Sequence, residues 1–275
     1  MSRKPCLNCP CEKKFLSLDY CFDAPPKGET HFNLNGQKYY RSYLKCNICS
    51  HWFEEMSIDM DNLYDEAYVD TVYGEKLLST FKKIINLPQD QSDNFHRFRE
   101  IKSFAESYFN DTEKLPSLLD VGSGLGVFPW IVSKEGWNCT ALDPDNRTTE
   151  HIEEYVGCNT ITGQFLDIAM TERYDIITFN KVLEHVYEPV PMLKKCHELL
   201  KPGGFVYVEL PDGECAAKKG MPREEFFIEH LHVFSLQSTI LLAERAGFMM
   251  YKIFRTHEPS DKYSLRAFLV PKISN

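Results

Sequence analysis

The sequence predicts an α/β fold: a doubly wound, mostly parallel sheet of seven strands, preceded by a small cysteine-rich module and a helical connector. Three observations predict it. From residue 115 onward, short apolar runs alternate with helix-period stretches, the pattern of a parallel sheet with crossover helices. A glycine loop, Gly122-Ser123-Gly124-Leu125-Gly126, follows the first of those runs. Six of the ten cysteines fall in the first 49 residues, which sets that segment apart from the rest.

Apolar residues make up 43% of the chain and charged residues 26%, values of an ordinary globular protein rather than a disordered chain or a disulfide miniprotein. No apolar run approaches the roughly 18 residues of a bilayer-spanning helix. The start, Met1 to Cys6, runs into charges and cysteines without an apolar core, so a cytoplasmic protein without a membrane partner is expected. The net charge of −9 argues against a long surface tracking nucleic-acid phosphates. Residues 1–53 nevertheless hold eight basic and four acidic side chains, whereas 54–79 hold eight acids and one lysine. That reversal predicts a module boundary near residue 53.

The first module, residues 1–53, carries Cys6-x-x-Cys9 and Cys46-x-x-Cys49. Each pair can fold as a tight knuckle that points two thiolates at one ion, and two knuckles complete a closed tetrahedral zinc site. In a cytosolic chain such clusters bind metal more often than they form disulfides. The expected ligands are Cys6, Cys9, Cys46 and Cys49, with Cys11, Cys21 and His51 as alternatives. The zinc would be structural, because four thiolates leave no place for water. Tyr39 to Leu44 reads as a strand leading into the second pair.

Residues 54–114 read as a helical connector. Leu77, Leu78, Phe81, Ile84 and Ile85 recur at helical spacing, Pro88 ends that segment, and Phe95, Phe98, Ile101, Phe104, Ala105 and Tyr108 mark a second helix. Both stripes are expected to be packing faces. The tyrosines at 64, 68 and 73 could line a cleft or simply pack. The third module, 115–275, begins with a strand at 117–121, then the glycine loop and a helix closed near Gly136. Strands follow at 138–142, 159–162, 174–179, 205–210, 249–255 and 265–270. Helices are expected near 147–156, 191–201 and 236–246. Lys201-Pro202-Gly203-Gly204 reads as a helix stop and Ser235 as a helix cap.

The loop spacing is Gly-x-Gly-x-Gly, which is neither the dinucleotide fingerprint nor a P-loop. Asp120, two residues before Gly122, is a poor neighbour for a pyrophosphate and a good one for a cation. S-adenosylmethionine carries a sulfonium and an ammonium. Asp143, at the end of the second strand, can accept from both ribose hydroxyls.

Taken in order, Leu118-Leu119-Asp120-Val121-Gly122-Ser123-Gly124-Leu125-Gly126, Ala141-Leu142-Asp143-Pro144, Tyr174 to Val186 and Leu199-Leu200-Lys201-Pro202-Gly203-Gly204 resemble the motifs of class I S-adenosylmethionine-dependent methyltransferases of the type 11/12/23 branch. The resemblance covers about residues 115–271. With the two cysteine pairs and the connector, the chain is similar to bacterial methyltransferases that carry a zinc-binding head and act on sugars or other small metabolites in polysaccharide and natural-product pathways. It implies a Rossmann-like methyltransferase fold with S-adenosylmethionine as cofactor. It further implies that Gly122, Ser123, Gly124 and Gly126 let the backbone approach the methionine moiety, that Asp120 holds the ammonium and that Asp143 binds the ribose. Phe165, Leu166 and Asp167 would clamp the adenine, while Asn180 and Lys181 would lie by the methionine tail and methyl group.

The sulfonium methyl is already activated, so the protein must align the acceptor and remove its proton. His185, after the fourth strand of the domain, and His230 and His232, in His-x-His-x-Phe-Ser, are the candidate bases. Glu184 could orient His185. The chain lacks an Asn-Pro-Pro-Tyr-like run and a Pro-Cys nucleophile after Phe179, which disfavours amide-nitrogen and cytosine-C5 acceptors. An oxygen or carbon of a small molecule, a glycosyl compound first, is the expected acceptor. The other readings are an RNA methyltransferase that grips RNA with the zinc module, and a non-catalytic module that only binds the cofactor.

Overall fold

The computed structural model describes residues 15–29, 34, 36–56, 76–109, 114–220 and 223–272. Cys6, Cys9, Cys11 and the tyrosines at 64, 68 and 73 lie outside the described residues.

Seven strands form the main sheet: β4 (Ser117–Val121), β5 (Asn138–Asp143), β6 (Asn159–Thr162), β7 (Tyr174–Asn180), β8 (Leu200–Pro211), β10 (Phe248–His257) and β11 (Tyr263–Pro271). Their order is β10-β11-β8-β7-β4-β5-β6. β6, β5, β4, β7 and β8 run parallel, and β11 and β10 are antiparallel additions at one edge. The central parallel strands β4 and β7 are buried on both faces, and so read as continuous apolar runs such as Leu118-Leu119 and Ile176-Ile177. β8 starts at Leu200, earlier than the helix-stop reading of Lys201–Gly204 predicts. Gly203 takes a positive φ of 80° there, and a Cβ on Gly204 would stand 2.7 Å from Asp175 O, so a tight entry into the strand replaces a free turn.

Helices cover both faces. α1 (Leu77–Ile85) and α2 (Asp93–Tyr108) come from the connector, and α3 (Val127–Lys134), α4 (Asn146–Tyr155) and α5 (Pro189–Leu199) are crossovers. The expected stripes are packing faces: Phe98, Ile101, Phe104 and Ala105 are buried, and Phe104 stacks on Phe268 of β11 with centroids 4.1 Å apart. α6 (Gly213–Ala217) and α7 (Leu236–Arg245) follow β8, and Ser235 closes a capping box with Ser238 at the start of α7.

The amino-terminal segment forms a second, antiparallel sheet, β1 (Leu16–Phe22), β2 (Arg41–Cys46) and β3 (Trp52–Met56), with β9 (His232–Val233) as its fourth strand. Two expectations are corrected here. β3 runs through the boundary placed after residue 53, so Glu54 and Glu55 are strand and not helix. The charge reversal misleads because Glu54 faces inward, fully buried, and pairs with Arg41 at 3.3 Å. Nor is the module closed on itself, since β9 comes from the segment after β8. Trp52 lies on α6, where a Cβ on Gly213 would be 2.6 Å from its ring.

Candidate active site

The parallel strands reverse their order of connection between β4 and β7, and ligands in open α/β sheets bind outside the carboxyl ends of the strands at such a point. A cleft of about 1720 Å³ opens there. Gly122 and Gly124 hold the loop after β4 at positive φ, 73° and 49°, a conformation that costs L side chains energy. A Cβ on Gly122 would also stand 2.6 Å from Val182 Cγ2.

Asp120, Gly122, Ser123, Gly124, Asp143, Leu166, Asp167, Asn180, Lys181, His185 and His230 all line this cleft. Asp120 is buried, and its Oδ1 accepts from Thr178 Oγ1 and Asn180 Nδ2, each at 2.7 Å. Burial pushes its carboxyl up to about 6, against the pull of those donors. It therefore stays mainly ionised at neutral pH. Beside it Asn180 Oδ1 is buried with no partner among the described residues, an acceptor kept for a donor from outside. Asp143 accepts from Gly124 N at 2.9 Å and Asp145 N at 3.1 Å. Burial raises its pKa, and those two amides oppose the rise. The carboxylate thus shapes the glycine loop while it faces the cleft.

Two expected cofactor contacts do not line the cleft. Phe165 is turned into the core, edge-on to Phe179 at 5.7 Å, while the neighbouring Leu166 is 45% exposed. Gly126 caps α3 in the left-handed region, where a Cβ would meet Ile152 at 2.6 Å, so it serves helix packing. Sequence reading missed Asn94, Arg97, Arg147 and Gln164, all of which line the cleft. Gln164 stands just past the carboxyl end of β6, a position that alone could have drawn attention to it. Asn94 and Arg97 gave no signal because they are polar residues on the packing stripe of a connector helix, in line with Ile101 and Phe104, where the sequence reading looked only for apolar side chains.

The three histidines separate clearly. His230 and His185 line the cleft with ring centroids 4.9 Å apart. His230 Nδ1 lies 2.9 Å from Glu225 O, and His185 Nδ1 lies 2.9 Å from Glu229 O. A carbonyl only accepts, so Nδ1 carries the proton in each ring and Nε2 keeps its lone pair. Burial pushes His185 down to about 4 and holds His230 well below the ordinary histidine value, with the Lys181 charge adding to both shifts. Both rings are neutral at pH 7. His232 does not line the cleft. It is buried, bonded through Nδ1 to His51 Nε2 at 3.2 Å and through Nε2 to Tyr187 O at 3.3 Å, which corrects its placement among the bases. The two-residue strand β9 turns it inward, away from His230.

Glu184, fully buried behind His185, has two carboxylate oxygens without partners among the described residues, and burial pushes it up to about 8. Glu184, His185 and His230 each bring one ligand atom within 4.8 Å of the others, the one group of described residues that could hold a metal ion. The Lys181 charge acts on all three groups, which opposes a second cation there. In the amino-terminal sheet Cys46 and Cys49 are buried side by side. Cys46 N donates to His51 O and Ser50 N to Cys46 O, each at 2.8 Å, with Ser50 at a φ of 54°. That turn brings two thiols together, as one half of a tetrahedral site requires. Cys21 is exposed, its sulfur 3.8 Å from Tyr40 OH.

A family model described as a methyltransferase domain matches residues 93–253, more than half of the chain. Among curated proteins, the ubiquinone biosynthesis O-methyltransferase of Hydrogenovibrio crunogenus is 24% identical over 220 residues, which cover 70% of this chain and 90% of that protein. The protein of the same name from Pseudomonas aeruginosa is 24% identical over 140 residues, 48% of this chain and 60% of its own length. Among solved structures, the magnesium protoporphyrin IX methyltransferase of Synechocystis PCC 6803 superposes with a TM-score of 0.57 at 12% identity, covering 78% of this chain and all of that one. The 1,6-didemethyltoxoflavin-N1-methyltransferase of Burkholderia thailandensis gives 0.55 at 15% identity, with 90% of this chain and all of that one covered. The chain belongs to the methyltransferase-domain family and has the class I S-adenosylmethionine-dependent methyltransferase fold.

Proposed function

We propose that this protein transfers a methyl group from S-adenosylmethionine to an oxygen or carbon of a small molecule, with a sugar or related metabolite of polysaccharide or natural-product biosynthesis as the first choice of acceptor. The observation that carries the reading is one cleft holding both halves of the chemistry. Asp120, Asn180 with its orphaned Oδ1, and Asp143 line it, and so do the two neutral imidazoles of His185 and His230. S-adenosylmethionine, when bound, supplies a methyl group on a cationic sulfur.

The chain's own residues fit that group. Asp120 and Asn180 offer oxygens to an ammonium, Asp143 to ribose hydroxyls, and Leu166 with Asp167 to an adenine. On the acceptor side His230 takes the proton on Nε2, with His185 packed against it. Tyr187 and Phe227 give the opening apolar surface, suited to the face of a ring compound. The names of the curated relatives, O-methyltransferases of a small metabolite, agree with an oxygen acceptor.

The RNA reading is disfavoured by charge. The cleft is lined by eight carboxylate side chains against four of lysine or arginine, which repels a phosphate backbone. In the head, Cys46 and Cys49 with Cys6 and Cys9 would hold one structural zinc. We place the protein in the cytoplasm, where such thiols stay reduced. Among the described residues no helix is long and apolar enough to cross a membrane.

Calorimetry with S-adenosylhomocysteine on wild type and Asp143→Ala tests the cofactor half, and loss of binding in the variant is expected. Transfer of labelled methyl to a panel of hydroxylated small molecules and to total RNA tests the acceptor half. Label in RNA alone would overturn the reading.

A further inference from the structure

The segment that carries His230 is held by the amino-terminal sheet as well as by its own domain. Tyr43, in the middle of β2 and fully buried, places its hydroxyl 2.6 Å from His230 O and 3.2 Å from Phe227 O. A phenol has one hydrogen to donate, so the shorter contact, to His230 O, is the bond. Burial raises the phenol well above its usual range, so the hydrogen is always present. On one side of this bond Ile228 N donates to the carboxylate of Glu29 at 2.8 Å. On the other, Glu54 N donates to Leu231 O at 3.0 Å, and Trp52 and Phe53 pair with Val233 and His232. Five residues between 29 and 54, namely Glu29, Tyr43, Trp52, Phe53 and Glu54, grip residues 227–233.

We propose that Tyr43 is a positioning residue for His230, and that the amino-terminal sheet is the frame in which the base is set. The proposal rests on the reading of His230 as the acceptor's base, and it deepens it by saying what fixes that base. The physical reason is local. His230 Nδ1 bonds to Glu225 O, five residues back in the same loop, so the ring can present Nε2 to the cleft only while the loop between 225 and 230 keeps its shape. His230 N also bonds Phe227 O at 2.9 Å, closing a tight turn. The Tyr43 hydroxyl pins that turn from outside at its last carbonyl. Without the pin, the turn and the Nδ1 bond open together.

The test reads the imidazole itself and so needs no acceptor. In protein with labelled histidine, the His230 Nδ1 proton is identified by its loss in His230→Gln. In wild type it should be present and slow to exchange at pH 7. In Tyr43→Phe its exchange should rise at least tenfold, with S-adenosylhomocysteine affinity held within twofold. Tyr207→Phe, which removes a buried hydroxyl of the main sheet bonded to Glu209 at 2.9 Å, away from residues 227–233, controls for a general loss of stability and should leave the His230 signal in place.

Unchanged exchange in Tyr43→Phe would overturn the proposal. If that variant does not fold, hydrogen exchange in wild type at rising urea decides. The Glu54 amide and the His230 Nδ1 proton should open with one common free energy, and separate openings would overturn it. Should His230→Gln turn out to leave methyl transfer intact, the base reading fails while the exchange result stands on its own.

Discussion

A neutral imidazole with Nδ1 tied to a carbonyl keeps its lone pair on Nε2 at pH 7, and that nitrogen can take a proton. His230 and His185 are both in that state, and His232 is not, because its second nitrogen is also engaged. His230→Gln should therefore lower turnover by about 10²–10⁴-fold, with S-adenosylhomocysteine affinity within twofold of wild type by calorimetry. The pH dependence has a defined sign. His230 is held below the ordinary histidine value by burial, so the base form persists down through pH 6.5. The acid limb of kcat/KM should lie below that pH, and a limb centred above 7 would contradict the assignment. The sequence showed which residue types were present, but not which histidine faced the cleft. His232 begins the two-residue strand β9 and His230 lies in the loop before it, whereas two residues that share a strand two apart would share a face, so no periodicity in the sequence separates them. The side is decided by Phe53 and Trp52, far away in the sequence.

At the scale of elements, the glycine loop was legible because backbone need dictates it, and the succession of strands in the domain because their apolar runs alternate with helix-period stretches. Gly122 sits at positive φ with Val182 against it, so Gly122→Ala should lower stability by about 1–3 kcal/mol and weaken cofactor binding, both readable in one thermal melt with and without S-adenosylhomocysteine. The knuckle of Cys46 and Cys49 was legible for the same reason, a spacing that forces a turn. Elemental analysis should find about one zinc per chain, lost in Cys46→Ser together with Cys49→Ser. Full metal content in that double variant would refute those ligands. What stayed hidden was β3 as a strand, since Glu54 and Glu55 look like the start of a solvated helix. The partner that makes Glu54 an inward residue, Arg41, is an ion-pair contact across the sheet, and no local periodicity announces it.

For the molecule as a whole, two buried features tie the layers together and set its response to acid. Arg97 of α2 clasps Glu209 of β8 through Nε at 2.9 Å and Nη2 at 2.6 Å, and Arg266 of β11 lies 3.1 Å from the same carboxylate. Burial alone would raise that carboxyl, yet Arg97 and Arg266 hold it well below the usual range. Arg97→Met leaves a buried charge short of a partner and should cost about 3–5 kcal/mol in urea unfolding. His185 and His232 are buried neutral, each pushed down to about 4 by burial. Their stabilisation is complete above the unfolded value near 6.5 and is lost as pH falls through 4. Between pH 6.5 and 4 these two histidines therefore lower the melting temperature, while the raised carboxyls of Asp120 and Glu184 act in the opposite sense, and His232→Phe should make the melting temperature fall less, or rise more, across that range than in wild type.

The fourth strand of the amino-terminal sheet lies about 175 residues beyond the end of its third in the chain. At 5–20 residues per second, the ribosome takes roughly 9–35 s to deliver it. Through that interval β3 lacks its β9 partner, and an open edge is a template for other chains. The head is therefore made before the methyltransferase domain and finished only after most of that domain has been made. Its completion marks the arrival of the loop after β8, and with it His230. A nascent chain of this protein has reason to be guarded at its front until its back has been synthesised.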